Sequence, residues 1–230
     1  MADKEKLSKN DFIEIDFTGK IKETGEIFDT TMQEDAKKAN FDVKNLKPYI
    51  LSIGNSMLIK GLDKELEGKE VGEKYTLSFS PEESFGKRNP QLVRMIPLRI
   101  FTEQRIMPQK GMQLTLDGML VKVVSVTGGR VLADFNNPLS GKAVSYEVKI
   151  NRKVSDIKEK IDSLQDFFFK KIFSFDFNDK DKKVVFKVPE SDLQMQALVK
   201  FYAKPFKDIL DLDIELGKEE KKDKAEEKKS

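Results

Sequence analysis

The sequence predicts an α+β protein: mainly antiparallel strands around few, short helices, with a small β-rich unit inserted and a mixed α/β unit towards the C-terminal end. Three observations carry this. Short runs of alternating apolar and polar residues recur through the first 80 positions and again near 142–150, most of them bounded by glycine or proline. Composition changes over residues 87–139, which hold five of the six arginines and four of the eight methionines. From Val154 onward the apolar spacing turns helical, then alternating, then helical again.

Taken in order, residues 11–17 alternate Phe12, Ile13, Ile15 and Phe17 with acids, the pattern of a half-buried strand. Gly19 and the Glu23-Thr24-Gly25 turn lead to Glu26-Ile27-Phe28-Asp29 as the second arm of a hairpin. Residues 32–48 are polar and lysine-rich and end in Pro48, so a loop or short surface helix is expected there. Tyr49 to Ile53 resume a strand up to Gly54. Leu58, Ile59, Leu62 and Leu66 share one helical face, and Gly68 stops a helix of little more than two turns. Val71-Gly72-Glu73 turns into a strand over 74–80 that Pro81 ends.

Within 87–139, Met112 to Leu116, Leu120 to Val126 and Arg130 to Asp134 read as strands joined by Asp117-Gly118 and Gly128-Gly129 turns. Lys142 to Lys149 alternates through Ala143, Val144, Tyr146 and Val148 to Ile150, as if the first unit resumes. A helix follows from Val154 to Lys171, with Ile157, Ile161, Leu164 and Phe168 on one stripe. Phe173, Phe175 and Phe177 pair with Val184 to Val188 as a hairpin. Ser191 or Asp192 caps a second helix to about Leu210, interrupted at Pro205, and Asp211 to Leu216 forms a last strand. Residues 218–230 hold one alanine as their only apolar residue and are expected to be disordered.

Composition removes much of enzymology. Without histidine there is no Ser-His-Asp triad and no histidine-supported metal site; without cysteine there are no thiol nucleophiles, disulfides or zinc ribbons. Forty-two basic against 40 acidic residues, well interleaved, argue against a partner held by bulk charge such as nucleic acid. The opening MADKEKLSKND lacks the apolar stretch of a signal peptide, and no run approaches the ~20 apolar residues needed to span a bilayer. The expectation is a cytoplasmic protein with no membrane partner, no metal and no cofactor. Gly54-Asn55-Ser56 is not followed by phosphate-loop spacing, so nucleotide binding is disfavoured. Asp29 stands apart from the other carboxylates because it follows Ile27-Phe28 and precedes two threonines; it reads either as a turn cap or as a group at the edge of a pocket.

The string Asp16-Phe17-Thr18-Gly19 followed by Gly25-Glu26-Ile27-Phe28-Asp29-Thr30-Thr31 resembles the opening hairpin of FKBP-type peptidyl-prolyl isomerases. Leu58-Ile59-Lys60-Gly61-Leu62, Leu66-Glu67-Gly68 and Val71-Gly72-Glu73-Lys74 resemble that family's central helix and the turn after it. Ser80-Pro81-Glu82-Glu83-Ser84-Phe85-Gly86 resembles its P-x-x-x-[YF]-G element. The segment closed by Asn137-Pro138-Leu139-Ser140-Gly141-Lys142 is similar to SlyD-like members carrying an insert-in-flap chaperone domain, and 154–216 looks like the extra domain of archaeal long-type members. The resemblance implies an antiparallel β-sheet wrapped on a short helix. It divides the chain into a discontinuous isomerase domain (1–88 with 138–153), an insert (89–137), a C-terminal α+β domain (154–217) and the tail 218–230.

The resemblance also implies a site. Phe28, Asp29, Ile59 and Phe85 fall on catalytic positions, and Phe17, Tyr49, Leu58, Leu62 and Tyr146 on substrate-binding ones. Leu62 stands where many members have tryptophan, and Phe85 where many have tyrosine. The implied reaction turns an X-Pro bond over a barrier of ~18–20 kcal/mol. It needs no proton transfer, because a twisted amide has lost resonance and is favoured by an apolar pocket. Met95, Met107, Met112 and Met119 read either as a small core or as an adaptable surface for unfolded chains. Five arginines nearby would suit acidic or backbone-rich clients. The expected partners are unfolded or partly folded polypeptides containing X-Pro. The phenylalanine-rich stretch 167–177 reads as a domain core, as a client surface, or as the interface of a homodimer through the C-terminal domain. The alternative function is a holding or assembly chaperone whose isomerase pocket is weak.

Overall fold

The computed structural model describes residues 6–116 and 118–217. Asp117, the start of the chain and the tail over 218–230 lie outside the described residues. The chain opens with β1 (Phe12–Ile21), β2 (Ile27–Thr30), α1 (Gln33–Lys38), β3 (Tyr49–Ser52), α2 (Lys60–Glu65) and β4 (Lys74–Phe79). The 87–139 stretch supplies β5 (Val93–Pro97), α3 (Leu98–Glu103), β6 (Gln113–Leu116), β7 (Met119–Thr127) and β8 (Arg130–Asp134). Then come β9 (Val144–Lys153), α4 (Ile157–Phe169), β10 (Phe175–Asn178), β11 (Lys183–Lys187), α5 (Leu193–Phe201), α6 (Ala203–Leu210) and β12 (Asp213–Gly217).

The first sheet runs β2-β1-β9-β4, with β3 also pairing β1, all antiparallel. Its inner residues on β1 and β9, among them Ile13, Ile15, Val148 and Ile150, are buried, as the alternation requires. The insert forms its own sheet, β5-β8-β7-β6, over a core of Phe101, Val123 and Val131. Strand β5 and helix α3 are additions to the sequence reading: Val93–Pro97 is mostly exposed and has no clean alternation to betray it.

The third sheet, β10-β11-β12, is mixed, because the α5–α6 crossover returns β12 parallel to β11. Asp156 caps α4 by accepting from the Lys158 and Glu159 N–H groups at 2.7 and 3.1 Å, and Asp192 caps α5 by accepting from Met195 N–H at 3.1 Å. The helix break falls at Tyr202, ahead of Pro205, whose ring would meet the carbonyl four residues earlier. Helix α4 lies against β3, and the buried residues of the first and third sheets join in a single apolar cluster from Phe12 and Ile15 to Leu164, Phe186 and Phe206. Buried Gln165 holds the turn into β10 by accepting from Phe173 N–H at 2.9 Å and donating to its carbonyl at 3.3 Å.

Candidate functional site

Strands β1, β2 and β9 meet in register at Gly19, which is opposite Asp29 on one side and Tyr146 on the other. The missing side chain matters: a Cβ there would lie 2.6 Å from Phe28 Cζ and 3.2 Å from Tyr146 Cε1. The two rings close over the glycine with centroids 5.7 Å apart and planes at 79°. From this pair the aromatic contacts run outward. Phe28 meets Phe85 edge-on at 5.6 Å, Tyr146 meets Phe17 at 5.9 Å and Phe79 at 6.2 Å, and Phe17 meets Tyr49 at 6.5 Å. The edge-to-face geometry is the one that ring quadrupoles favour. Five of the residues expected from the sequence, Phe17, Phe28, Tyr49, Phe85 and Tyr146, are thus in one connected group. Phe79, which the sequence marks only as part of the 74–80 strand, is a sixth ring of the group.

Leu62 is wholly buried in the core below, and Leu58 and Ile59 pack against that core while keeping part of their surface open. Helix α2 can approach because Gly61 is bare: a Cβ there would lie 2.5 Å from Phe79 Cδ1. The loop before it is held by Asp63, a buried side chain the sequence reading did not single out. Its two carboxylate oxygens accept from Gly54 N–H at 2.8 Å and Ser56 N–H at 2.9 Å. The available signal was the polar Gly54-Asn55-Ser56 stretch just ahead of a helix that carries an acid. Ile59 sits at the head of α2 in an extended conformation, its carbonyl accepting from Asp63 N–H at 3.0 Å.

Asp29 is reachable by solvent at the edge of the rings, yet their bulk desolvates its carboxyl and pushes its pKa above the ordinary 3.8, with a bond from Thr30 N–H offsetting part of the effect. Burial, then the charges of Asp166 and Asp29, pushes the Tyr49 phenol up to about 12, and burial with Asp29 raises Tyr146 as well. Both phenols stay protonated and neutral at working pH. The strand carrying Phe28 and Asp29 is locked from behind: Thr30 Oγ1 donates to the Phe17 carbonyl at 3.0 Å, Phe17 N–H donates to Thr31 Oγ1 at 2.9 Å, and Thr18 Oγ1 donates to Asp35 at 2.8 Å.

The loop bearing Phe85 is tied to the segment returning from the insert. Ser140 Oγ donates to the Phe85 carbonyl at 3.1 Å, and Gly141 N–H to the Gly86 carbonyl at 2.8 Å. The neck of the insert is clamped just beyond. Arg88 donates from Nη2 to Asp134 at 2.6 Å, and buried Asn136 accepts from Asn89 N–H at 2.8 Å while donating to its carbonyl at 3.0 Å. Met95, Met107, Met112 and Met119 are all exposed, from 41% to 71%, so they lie outside the insert's small core. A cavity of about 870 Å3 opens beside the ring cluster, between the first sheet and the insert, and Phe28 lines it; a second of about 230 Å3 lies between β3 and α4, with Tyr49 in its wall.

Among the described residues no group of three or more carboxylates is gathered to hold a metal ion. The cluster offers apolar walls, two neutral phenols and one accessible carboxyl. Such a site can favour a less polar, twisted form of a bound group over its planar form.

Comparison with known proteins agrees with the geometry. The sequence pattern of FKBP-type peptidyl-prolyl cis-trans isomerases matches residues 3–98, and that of the FKBP26 IF domain matches 94–139. A short-type peptidyl-prolyl cis-trans isomerase of Methanocaldococcus jannaschii is 32% identical over 146 residues, which is 63% of this chain and 92% of that protein. The FKBP-type isomerase SlyD of Vibrio cholerae is 33% identical over 101 residues, 42% of this chain and 50% of the relative. The FKBP-type 16 kDa isomerase of Escherichia coli is 29% identical over 126 residues, covering 53% and 84% respectively.

Proposed function

The chain belongs to the FKBP-type peptidyl-prolyl cis-trans isomerases, and on that premise we propose that it is a cytoplasmic folding helper whose insert holds unfolded chain while the ring cluster isomerises X-Pro bonds. One observation carries the reading: the rings of Phe28 and Tyr146 close over Gly19 to make an apolar wall that Phe85 and Phe17 extend. A prolyl ring seated there leaves water together with the amide it terminates. The planar amide is the more polar state, so it loses more by this transfer than the twisted one, and the barrier falls. Leu58 and Ile59 bound the seat from the loop, and Leu62 supports it from below. In this reading the Ile59 N–H, at the head of α2, holds a substrate carbonyl, and Asp29 takes a hydrogen bond at the rim.

The exposed methionines supply the holding surface, since flexible thioether chains adapt to irregular apolar partners. Tethering a client there raises its concentration at the nearby rings to roughly millimolar. The partners are then proline-containing unfolded polypeptides rather than nucleic acid or membrane. Among the described residues no helix is long and apolar enough to cross a bilayer. We include in this reading a homodimer through the C-terminal sheet and helices.

The test compares the intact protein with a version in which residues 89–137 are replaced by a short loop. Activity on a proline tetrapeptide is expected to survive, and catalysis of proline-limited protein refolding to fall at least about tenfold, the loss that follows when a tethered client becomes a free one. Equal refolding by both versions would remove the holding role. In the same assay Phe28→Ala should lower tetrapeptide kcat/KM by about tenfold or more, which corresponds to ~1.4 kcal/mol of lost transition-state stabilisation.

A further inference from the structure

The cavity beside the rings sets cationic side chains against apolar ones. Leu120, Val124 and Leu139 give it apolar walls, while Lys110 and Lys122 project from the insert and Lys142 from the returning segment. Among the described residues none of these three ammonium groups has an ion-pair partner. Three nearby arginines are otherwise engaged: Arg88 is matched by Asp134, Arg99 pairs with Glu103, and Arg94 lies 5.6 Å from the centre of the Phe135 ring. Glu26 is the lining acid left to oppose three lysines. In a chain with 42 basic and 40 acidic residues, this is a local excess of positive charge set against apolar walls.

We propose that this cavity receives the stretch of client chain flanking the proline, and that Lys110, Lys122 and Lys142 select stretches carrying aspartate or glutamate among apolar residues. The proposal rests on the ring cluster being the isomerase site. It follows from two features: continuity, because Phe28 lines both the cavity and the ring cluster, and charge complementarity, because three unmatched cations beside apolar surface fit an acidic, amphipathic strand of polypeptide. A lysine-rich flank would place like charges against these groups and be rejected.

The test uses unstructured peptides of equal length with the same apolar residue before a single proline, differing only in whether glutamate or lysine fills the flanks. A proline tetrapeptide, too short to carry flanks, reports the rings alone. The glutamate peptide is expected to exceed the lysine peptide in kcat/KM by about tenfold at low salt, the worth of a few partly exposed charge contacts. The preference should shrink at 0.5 M salt as screening shortens to a few ångströms. In the Lys110→Glu, Lys122→Glu, Lys142→Glu variant, the ratio of the two flanked rates should invert; Lys122→Glu alone should move it part of the way. Equal rates for both flanked peptides, with tetrapeptide turnover present, would overturn the proposal and leave the isomerase reading standing. Absence of tetrapeptide turnover would overturn that reading instead. Tighter binding of single-stranded RNA than of the glutamate peptide would assign the cavity to another class of partner and also overturn the proposal.

Discussion

Gly19 shows how one missing carbon shapes a site. It sits within β1, where glycine costs about 0.5–1 kcal/mol of chain entropy, and the compensation is the room it leaves for Phe28 and Tyr146. Gly19→Ala should destabilise the fold by ~1–3 kcal/mol through overpacking and, by pushing Phe28 off its seat, lower tetrapeptide kcat/KM by more than the melting temperature alone would suggest. Thermal melts beside kinetics separate the two effects; a variant with unchanged kinetics would place the rings outside the reaction. Asp29 provides a second handle. Its folded pKa is raised by desolvation, so the stability it contributes is fully present below 3.8 and is lost as pH rises through the folded value. Relative to Asp29→Asn, the natural protein should therefore lose melting temperature between acid and neutral pH, and parallel curves would show that the carboxyl is fully solvated. Phe28 and Phe85 were legible from the sequence by resemblance. Gly19 lies beyond the 11–17 alternation, in the stretch that the sequence marks as leading into the turn, because a pattern of alternation cannot reveal which ring lies above a residue with no side chain.

Elements follow sequence where alternation or helical spacing is uninterrupted, as on β1, β4, β9 and α4, and escape it where geometry depends on distant partners. The parallel return of β12 onto β11 was not legible, since it is set by the α5–α6 crossover rather than by anything within Asp213–Gly217. The neck of the insert was equally hidden, because it depends on residues 47 positions apart in sequence. That neck carries a prediction of its own. Burial raises the Asp134 pKa, but bonds from Asn136 and Arg88 outweigh it and hold the carboxyl below the ordinary 3.8. A depressed carboxylate adds stability that is present above 3.8 and is lost as pH falls through the folded value. Asn136→Ala, which removes an acceptor from Asn89 N–H, should cost about 1–3 kcal/mol and weaken that acid dependence, as read by hydrogen exchange at the Asn89 amide. Exchange as slow as in the natural protein would mean that the clamp is not what holds the neck.

Across the whole molecule, the first and third sheets share one core, so the C-terminal elements are structural partners of the isomerase sheet. Their outer side is a different matter. Leu193 and Phe201, eight residues apart on α5, are 71% and 74% exposed, a spacing that places them on one stripe of the helix. A homodimer would cover that stripe. Light scattering of the full chain should then report twice the mass of the Phe201→Asp variant, and equal masses would return α5 to an unpartnered face.

The insertion lies between β4 and β9, and β9 is the strand that joins β1 to β4 at the centre of the first sheet. During synthesis β1 is therefore made long before its main partner: Ile13 pairs with Lys153, 140 positions later. At ~5–20 residues per second that interval is roughly 7–28 s, during which β2 and β3 can pair with β1 but its β9-facing edge must wait. Contacts within the insert span far shorter stretches and can form meanwhile. The inserted sheet, whose strands pair only among themselves, can thus be complete before the sheet that carries it.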